Sequence, residues 1–165
     1  MATFQIPILG HGTIPDTSGN VFFQPYTAVD TAAVIDPLVL TFTNVASKIG
    51  VRGIFTVPQN YVGSPSFEIV WTANDATTNN AVYDLSYLTR SGTEDMGAAA
   101  TSTTDTVTDA HTGTAFQRNQ ASIAVTAGDF ALGDQVLFEL FRDGAADSLA
   151  ADYLVFEVLF EYDNA

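Results

Sequence analysis

No cysteine occurs in this chain, so neither a disulfide nor a thiolate metal staple is open to it. A chain of 165 residues needs none, because at that length folding buries roughly 70% of the unfolded surface. The absence leaves the redox compartment open. Charge is scarce too: 15% of residues are charged, against about 25% in a typical soluble domain. Lys48 is the only lysine, and 5 basic residues stand against 19 acidic ones, a net charge of −14. That balance repels phosphate backbones, and no Lys/Arg cluster exists to collect them. Nucleic acid and anionic membranes are both excluded as expected partners. No apolar run approaches the ~20 residues of a membrane-spanning helix. The start, Met1 to Pro7, lacks the basic and apolar regions of a signal peptide. These absences predict a soluble protein made in a cytoplasm.

Residues that carry chemistry are equally few. His11 and His111 are the only histidines, neither stands in a metal-ligand spacing, and both read as surface polar residues. No Gly-x-Ser-x-Gly elbow occurs, and nothing marks Lys48 as a Schiff-base lysine. Glu68, Glu139, Glu157 and Glu161 lie within strand-like runs, on the polar side of each alternation. They read as solvated sheet faces, some paired with Arg52, Arg90, Arg118 or Arg142, rather than as a glycosidase pair. The loop Asp143 to Asp147, with Asp152, has the oxygen-rich composition of a calcium loop but no EF-hand spacing. Asp also simply favours turns. Gly10-His11-Gly12 lacks the remaining glycine and the helix of a phosphate cradle. The expectation is a protein without catalytic residues, metal or cofactor, and not an enzyme.

What is present is strand after strand. Leu154, Phe156, Val158, Phe160 and Tyr162 alternate with Tyr153, Val155, Glu157, Leu159 and Glu161, and the aromatic and β-branched content agrees with a strand. Val136, Phe138 and Leu140 alternate with Gln135, Leu137, Glu139 and Phe141. The glycine-bearing turn between these runs suggests a long antiparallel pair, and apolar residues on both faces suggest central strands. Phe67, Ile69 and Trp71 form one face of another run, and Ala81, Tyr83, Leu85 and Tyr87 of the next. The turn-like stretch Asn74 to Asn80 suggests a hairpin between these two. Val51 to Val57, Leu38 to Thr43, Ser122 to Thr126 and Val21 to Tyr26 complete about eight strands, and Pro25 confines the last of these to an edge or an end. No stretch shows a 3.6-residue apolar repeat, and Met96 to Ala100 allows one helical turn at most. The predicted fold is all-β, a jelly-roll-like antiparallel β-sandwich over residues 21–165; an immunoglobulin-like sandwich ranks second.

Two segments fall outside that sandwich. Residues 1–20 mix apolar residues with Pro7, Gly10, Gly12, Pro15 and Gly19, the composition of an extended N-terminal arm. Phe4, Ile6, Ile8 and Leu9 would let the arm lie on a neighbour, and nearby Phe22 and Phe23 extend the candidate protein interface. Residues 91–115, rich in Thr, Ser, Asp and Ala, read as a long loop.

Two stretches carry a resemblance. One is Phe55-Thr56-Val57-Pro58-Gln59-Asn60-Tyr61-Val62 with Phe67-Glu68-Ile69-Val70-Trp71. The other runs from Gly133-Asp134 through Arg142-Asp143 to Val155-Phe156-Glu157-Val158 and Tyr162. Together they resemble small virion proteins of tailed bacteriophages, of the head decoration or cement type, over about half the chain. The resemblance implies a structural protein on the outer capsid surface, partnered by the major capsid protein and self-associated as a homotrimer. It would stabilise the head by mass action on the assembled shell, and it carries over no catalytic residues. The alternative is a carbohydrate-binding β-sandwich module using Trp71, Tyr61, Tyr83 and Tyr87 as sugar platforms, although Trp71 shares a face with Phe67 and Ile69 and reads as core. A tail or baseplate component, or a jelly-roll capsid subunit, is the remaining alternative.

Overall fold

A computed structural model describes residues 2–9, 14–15, 20–26, 38–96 and 102–164. Among them lie eleven strands and one short 3-10 turn at Ala127–Asp129, packed as two antiparallel sheets. The strands are β1 (Thr3–Pro7), β2 (Ile14–Pro15), β3 (Val21–Pro25), β4 (Leu38–Phe42), β5 (Lys48–Thr56), β6 (Tyr61–Ala73), β7 (Asn80–Arg90), β8 (Thr103–Ala110), β9 (Asn119–Ala124), β10 (Gln135–Asp143) and β11 (Tyr153–Asn164). One sheet runs β3-β4-β11-β6-β9, with β1 also pairing β11; the other runs β2-β5-β10-β7-β8. This is the all-β, jelly-roll-like sandwich that the alternation predicts. Pro25 sits on β3, the end strand of its sheet, where a residue without an N–H costs no ladder bond.

The core is aromatic. Phe67, Trp71, Tyr83, Phe138, Tyr153 and Phe160 are buried between the sheets. Rings of the two sheets meet at 6.0 Å (Trp71 and Tyr83), 5.5 Å (Tyr83 and Tyr153) and 5.9 Å (Phe55 and Phe67). Such tilted contacts add to what burial alone contributes.

Several expectations need correction. The runs at β10 and β11 are central strands, but they do not pair: β10 lies between β5 and β7, and β11 belongs to the opposite sheet. Likewise β6 and β7 form no hairpin, because each sits in a different sheet. Both connections are corners that carry the chain across the sandwich, and alternation within a strand says nothing about which sheet receives the next one. A β-bulge between Val155 and Glu157 shifts the register of β11 against β6. Tyr153 and Val155 therefore face the core before it, and Val158, Phe160 and Tyr162 after it. The expected unbroken face from Leu154 to Tyr162 fails because one extra residue reverses every side chain beyond it.

The Thr/Ser/Asp-rich stretch is not all loop. Thr103–Ala110 is a strand, paired along its length with β7. Its β-branched residues suit a pleated edge, where one face needs no apolar side chains. Of the segment Met96 to Ala100, residues 97–100 lie outside the described residues. Residues 3–9 are not a free arm: β1 pairs with the last part of β11, and Ile8, 1% exposed, is set into the core with its N–H on the Val158 carbonyl at 2.9 Å. Of the residues that suggested an interface, Ile6, Ile8 and Leu9 pack in or against the core of this same domain.

Candidate functional site

The strands of the five-stranded sheet bury one face and present the other. Along β10, Val136, Phe138, Leu140 and Arg142 point inward, leaving Gln135, Leu137, Glu139, Phe141 and Asp143 on the outer face. Register places Arg52 and Ser86 on either side of Glu139, and Ile54 and Leu88 on either side of Leu137. A groove of about 310 Å³ opens there, lined by Arg52, Ser86, Leu88, Ser102, Leu137 and Glu139 among others. Its apolar side chains, Leu88 and Leu137, come from directly paired strand positions. Arg52 Nε donates to Glu139 Oε1 at 2.5 Å, and Ser86 shares a 2.9 Å hydrogen bond with Thr104.

Two residues along from Glu139, Phe141 stands opposite Gly50 of β5. A Cβ at position 50 would come within 2.3 Å of the Phe141 ring, so the ring lies directly against the bare backbone. Gly53 takes Phe138 in the same way on the inner face, at 2.5 Å. Beyond Phe141, Lys48 pairs with Asp84 and lies 3.9 Å from Asp143, its amine 5.9 Å from the Phe141 ring centre. The hydrogen bond it donates to Asp84 raises the Lys48 ammonium above its ordinary range, against the opposing effect of desolvation. Phe141 is thus a half-buried ring on the outer face, with an ion pair on either side of it along the strands.

The residues expected to act as sugar platforms lie elsewhere. Trp71 is 0% exposed, and Tyr61, Tyr83 and Tyr87 are buried with it. Trp71 Nε1 donates to Asp109 Oδ2 at 2.8 Å, and burial pushes the Asp109 carboxyl up while that bond holds it down. Nor is His111 a surface residue: it is 1% exposed, 5.6 Å from the Trp71 ring, with Nδ1 2.9 Å from the Thr77 carbonyl. The chain turns inward at the end of β8 and carries the imidazole beneath Trp71. His11 lies outside the described residues.

The acidic residues are engaged within the protein. Glu68, expected on a solvated face, is buried and accepts from Ser66 (2.9 Å), Gln120 (3.1 Å) and Ser122 (2.5 Å). Of the four carboxylates expected on strands, Glu139 reaches an arginine, Arg52. In the loop after β10, Asp143 caps the Ala145 and Ala146 N–H groups, Asp147 pairs with Arg142, and Asp152 accepts from the Asn44 N–H. They face three different partners rather than one centre, and among the described residues no group of three or more His, Cys, Asp or Glu could hold a metal ion.

The six residues expected at a protein interface are not brought into one role. Phe4, Phe22 and Phe23 are exposed at 43%, 39% and 43%. Ile6 and Leu9 pack against the core, and Ile8 is inside it.

The sandwich itself defines the class of structure, two antiparallel sheets with jelly-roll connections, and its likenesses are specific. A family 35 carbohydrate-binding module from Clostridium thermocellum superposes with a TM-score of 0.52 at 13% identity, covering 99% of this chain and 99% of that one. The CBM22-1 xylan-binding domain of Paenibacillus barcinonensis Xyn10C gives 0.50 at 15% identity, covering 98% and 94%. An arabinose-bound α-L-arabinofuranosidase gives 0.54 at 13% identity; this chain covers 24% of it, with 94% of its own length matched. At such identities the likeness is one of fold. No family model matches the chain, and no curated protein matches its sequence.

These findings correct the capsid-decoration reading. The likenesses run over nearly the whole chain to carbohydrate-binding modules, and nothing points to phage head proteins. The motifs that carried the resemblance, Val57-Pro58 to Tyr61 and Gly133-Asp134 to Arg142-Asp143, are turn and strand-entry features that many sandwiches share.

Proposed function

We propose that this chain is a carbohydrate-binding β-sandwich without catalytic activity of its own, and that its binding face is the outer surface of β5, β10 and β7. The observation that carries this reading is the composition of that face. Leu88 and Leu137 form an apolar floor, Phe141 lies on Gly50 beside them, and the Arg52–Glu139 and Lys48–Asp84 pairs stand at the margins. A sugar ring has apolar C–H faces and a rim of hydroxyls that both donate and accept. Ligand sites commonly pair a mostly apolar wall with a few placed polar groups, and this face matches both sides of a sugar. The fold likeness to carbohydrate-binding modules supports it.

Native gel electrophoresis through a panel of soluble polysaccharides tests the reading, with pull-down on insoluble ones. Retardation by at least one polysaccharide is expected, reduced in Phe141→Ala and Glu139→Gln while the circular dichroism of both variants stays native. A protein that no polysaccharide retards, or variants that bind as the wild type does, would sink it.

A further inference from the structure

On the reading just given, the ligand's chain length and charge follow from how the groove continues. Strand β8 ends its pairing at Thr103, opposite Tyr87, while β7 runs on to Arg90. A second depression of about 140 Å³ shares Tyr87 and Leu88 with the first and adds Thr89, Thr103 and Asp129. A third, of about 330 Å³, shares Thr89 and Asp129 with the second and adds Ser91, Glu94, Phe130 and Asp134. Each depression thus shares lining residues with the next, in a series that begins on the outer face and reaches Asp134 beside the start of β10. The first and third each fall near the lower bound of ordinary ligand sites, ~300–1,000 Å³, and the smaller second one shares lining residues with both.

The two ends differ in charge. The groove on the outer face carries a balanced pair, Arg52 with Glu139. The second and third depressions are lined by Asp129, Glu94 and Asp134, and by no Lys or Arg among the described residues. Tyr87 stands at the junction, donating from its hydroxyl to Asp129 Oδ2 at 3.0 Å. We infer that the three depressions form one cleft for a linear oligosaccharide of several sugars, entered with an uncharged chain and closed to uronate-bearing ones. The carboxylates accept hydrogen bonds from sugar hydroxyls, and the same groups repel a carboxylate on the ligand at short range.

Titration calorimetry with β-1,4-linked xylose and glucose oligomers of one to six units tests the inference, beside an oligogalacturonate of six units. Affinity is expected to rise at least about tenfold from the dimer to the hexamer, equivalent to about 1.4 kcal/mol, with the oligogalacturonate not binding at low salt. Thr89→Arg, at a position that lines the second and third depressions but not the first, should cancel the rise beyond the dimer. Glu94→Lys, on the exposed rim, should admit the oligogalacturonate and guards against a folding defect in the first variant. Affinity that levels off at the dimer, or hexamer binding unchanged by both variants, overturns the extended cleft and leaves the outer-face site standing. If no polysaccharide or oligomer binds, both the site and its extension fail together.

Discussion

The guanidinium of Arg142 lies over the ring of Tyr153, 3.8 Å from its centre, and both side chains donate to the same oxygen of Asp147, each at 2.7 Å. Arg142 belongs to β10 and Tyr153 to β11, so the contact ties the two sheets at the corner that joins them. The arginine is fully buried and also donates to the carbonyls of Thr43 (3.1 Å), Leu149 (3.0 Å) and Ala151 (2.8 Å). It holds the corner loop against the end of β4 from the inside.

Replacing Arg142 by methionine should therefore be severe. The change strands Asp147 as a buried carboxylate and leaves several carbonyls without a donor, a loss of about 3–5 kcal/mol. Lysine should not rescue it, because a point charge cannot reproduce the planar fan of donors. Urea unfolding measures both variants; a loss below about 1 kcal/mol in either would show that the corner is held by other contacts.

Alkaline pH should unfold the protein in a window set by its tyrosines. Burial, with Asp129 and Asp105 nearby, pushes the Tyr87 hydroxyl up to about 12, and burial also raises Tyr26, Tyr61, Tyr83 and Tyr153. In the unfolded chain these groups ionise at the ordinary value near 10. Above that pH the unfolded state gives up protons that the folded state keeps, so stability is full below 10 and falls as pH rises toward 12. Ultraviolet titration of phenolate should show delayed tyrosine ionisation that coincides with loss of the near-ultraviolet circular dichroism. Complete tyrosine ionisation near pH 10 in a still-folded protein would contradict the burial.

Asp109→Asn should raise the unfolding midpoint at neutral pH. Burial holds the Asp109 carboxyl above its usual range, so the fold favours the neutral form, and asparagine supplies it permanently while still accepting from Trp71. The gain should shrink below pH 3.8, where the wild-type carboxyl is protonated in both states. Thermal melts at pH 3 and pH 7 compare the two; an equal gain at both values would point to a cause other than charge.

Gly50→Ala should damage stability and binding together. The new methyl would meet the Phe141 ring at 2.3 Å and the Leu140 carbonyl at 2.5 Å, an overpacking worth about 1–3 kcal/mol. Adding Phe141→Ala should recover part of the stability, since one of the two clashes is removed, but none of the polysaccharide retardation. A double variant no more stable than the single one would place the strain entirely on the backbone.

The strand content of this protein is open to reading from alternation, and most strands stand within a few residues of where the pattern sets them. Which strand lies beside which was hidden. The links from β6 to β7 and from β10 to β11 look like hairpin turns, yet each crosses to the other sheet, and the second does so around a buried arginine that composition marks only as one more charge. The bulge at Phe156 is likewise silent, because both phases of β11 are apolar. The candidate site escaped for a related reason. Leu137 and Phe141 on the second face of β10 were a visible signal, but their meaning depends on Gly50 and Arg52 lying opposite, and register is a property of two strands at once. The sugar platforms looked for instead, Trp71 and the tyrosines, follow the commoner rule that large aromatic residues are buried.

Strand β11 is the last of the described strands and yet the middle of its sheet, for β1, β4 and β6 all pair with it. During synthesis β4 and β6 emerge with no partner between them, and their apolar surfaces wait until β11 has left the ribosome. Topologies that defer their key pairings in this way fold slowly and expose sticky intermediates while they wait. A premature stop before Tyr153 would remove the centre of the sheet rather than its rim, leaving no smaller sandwich to fall back on.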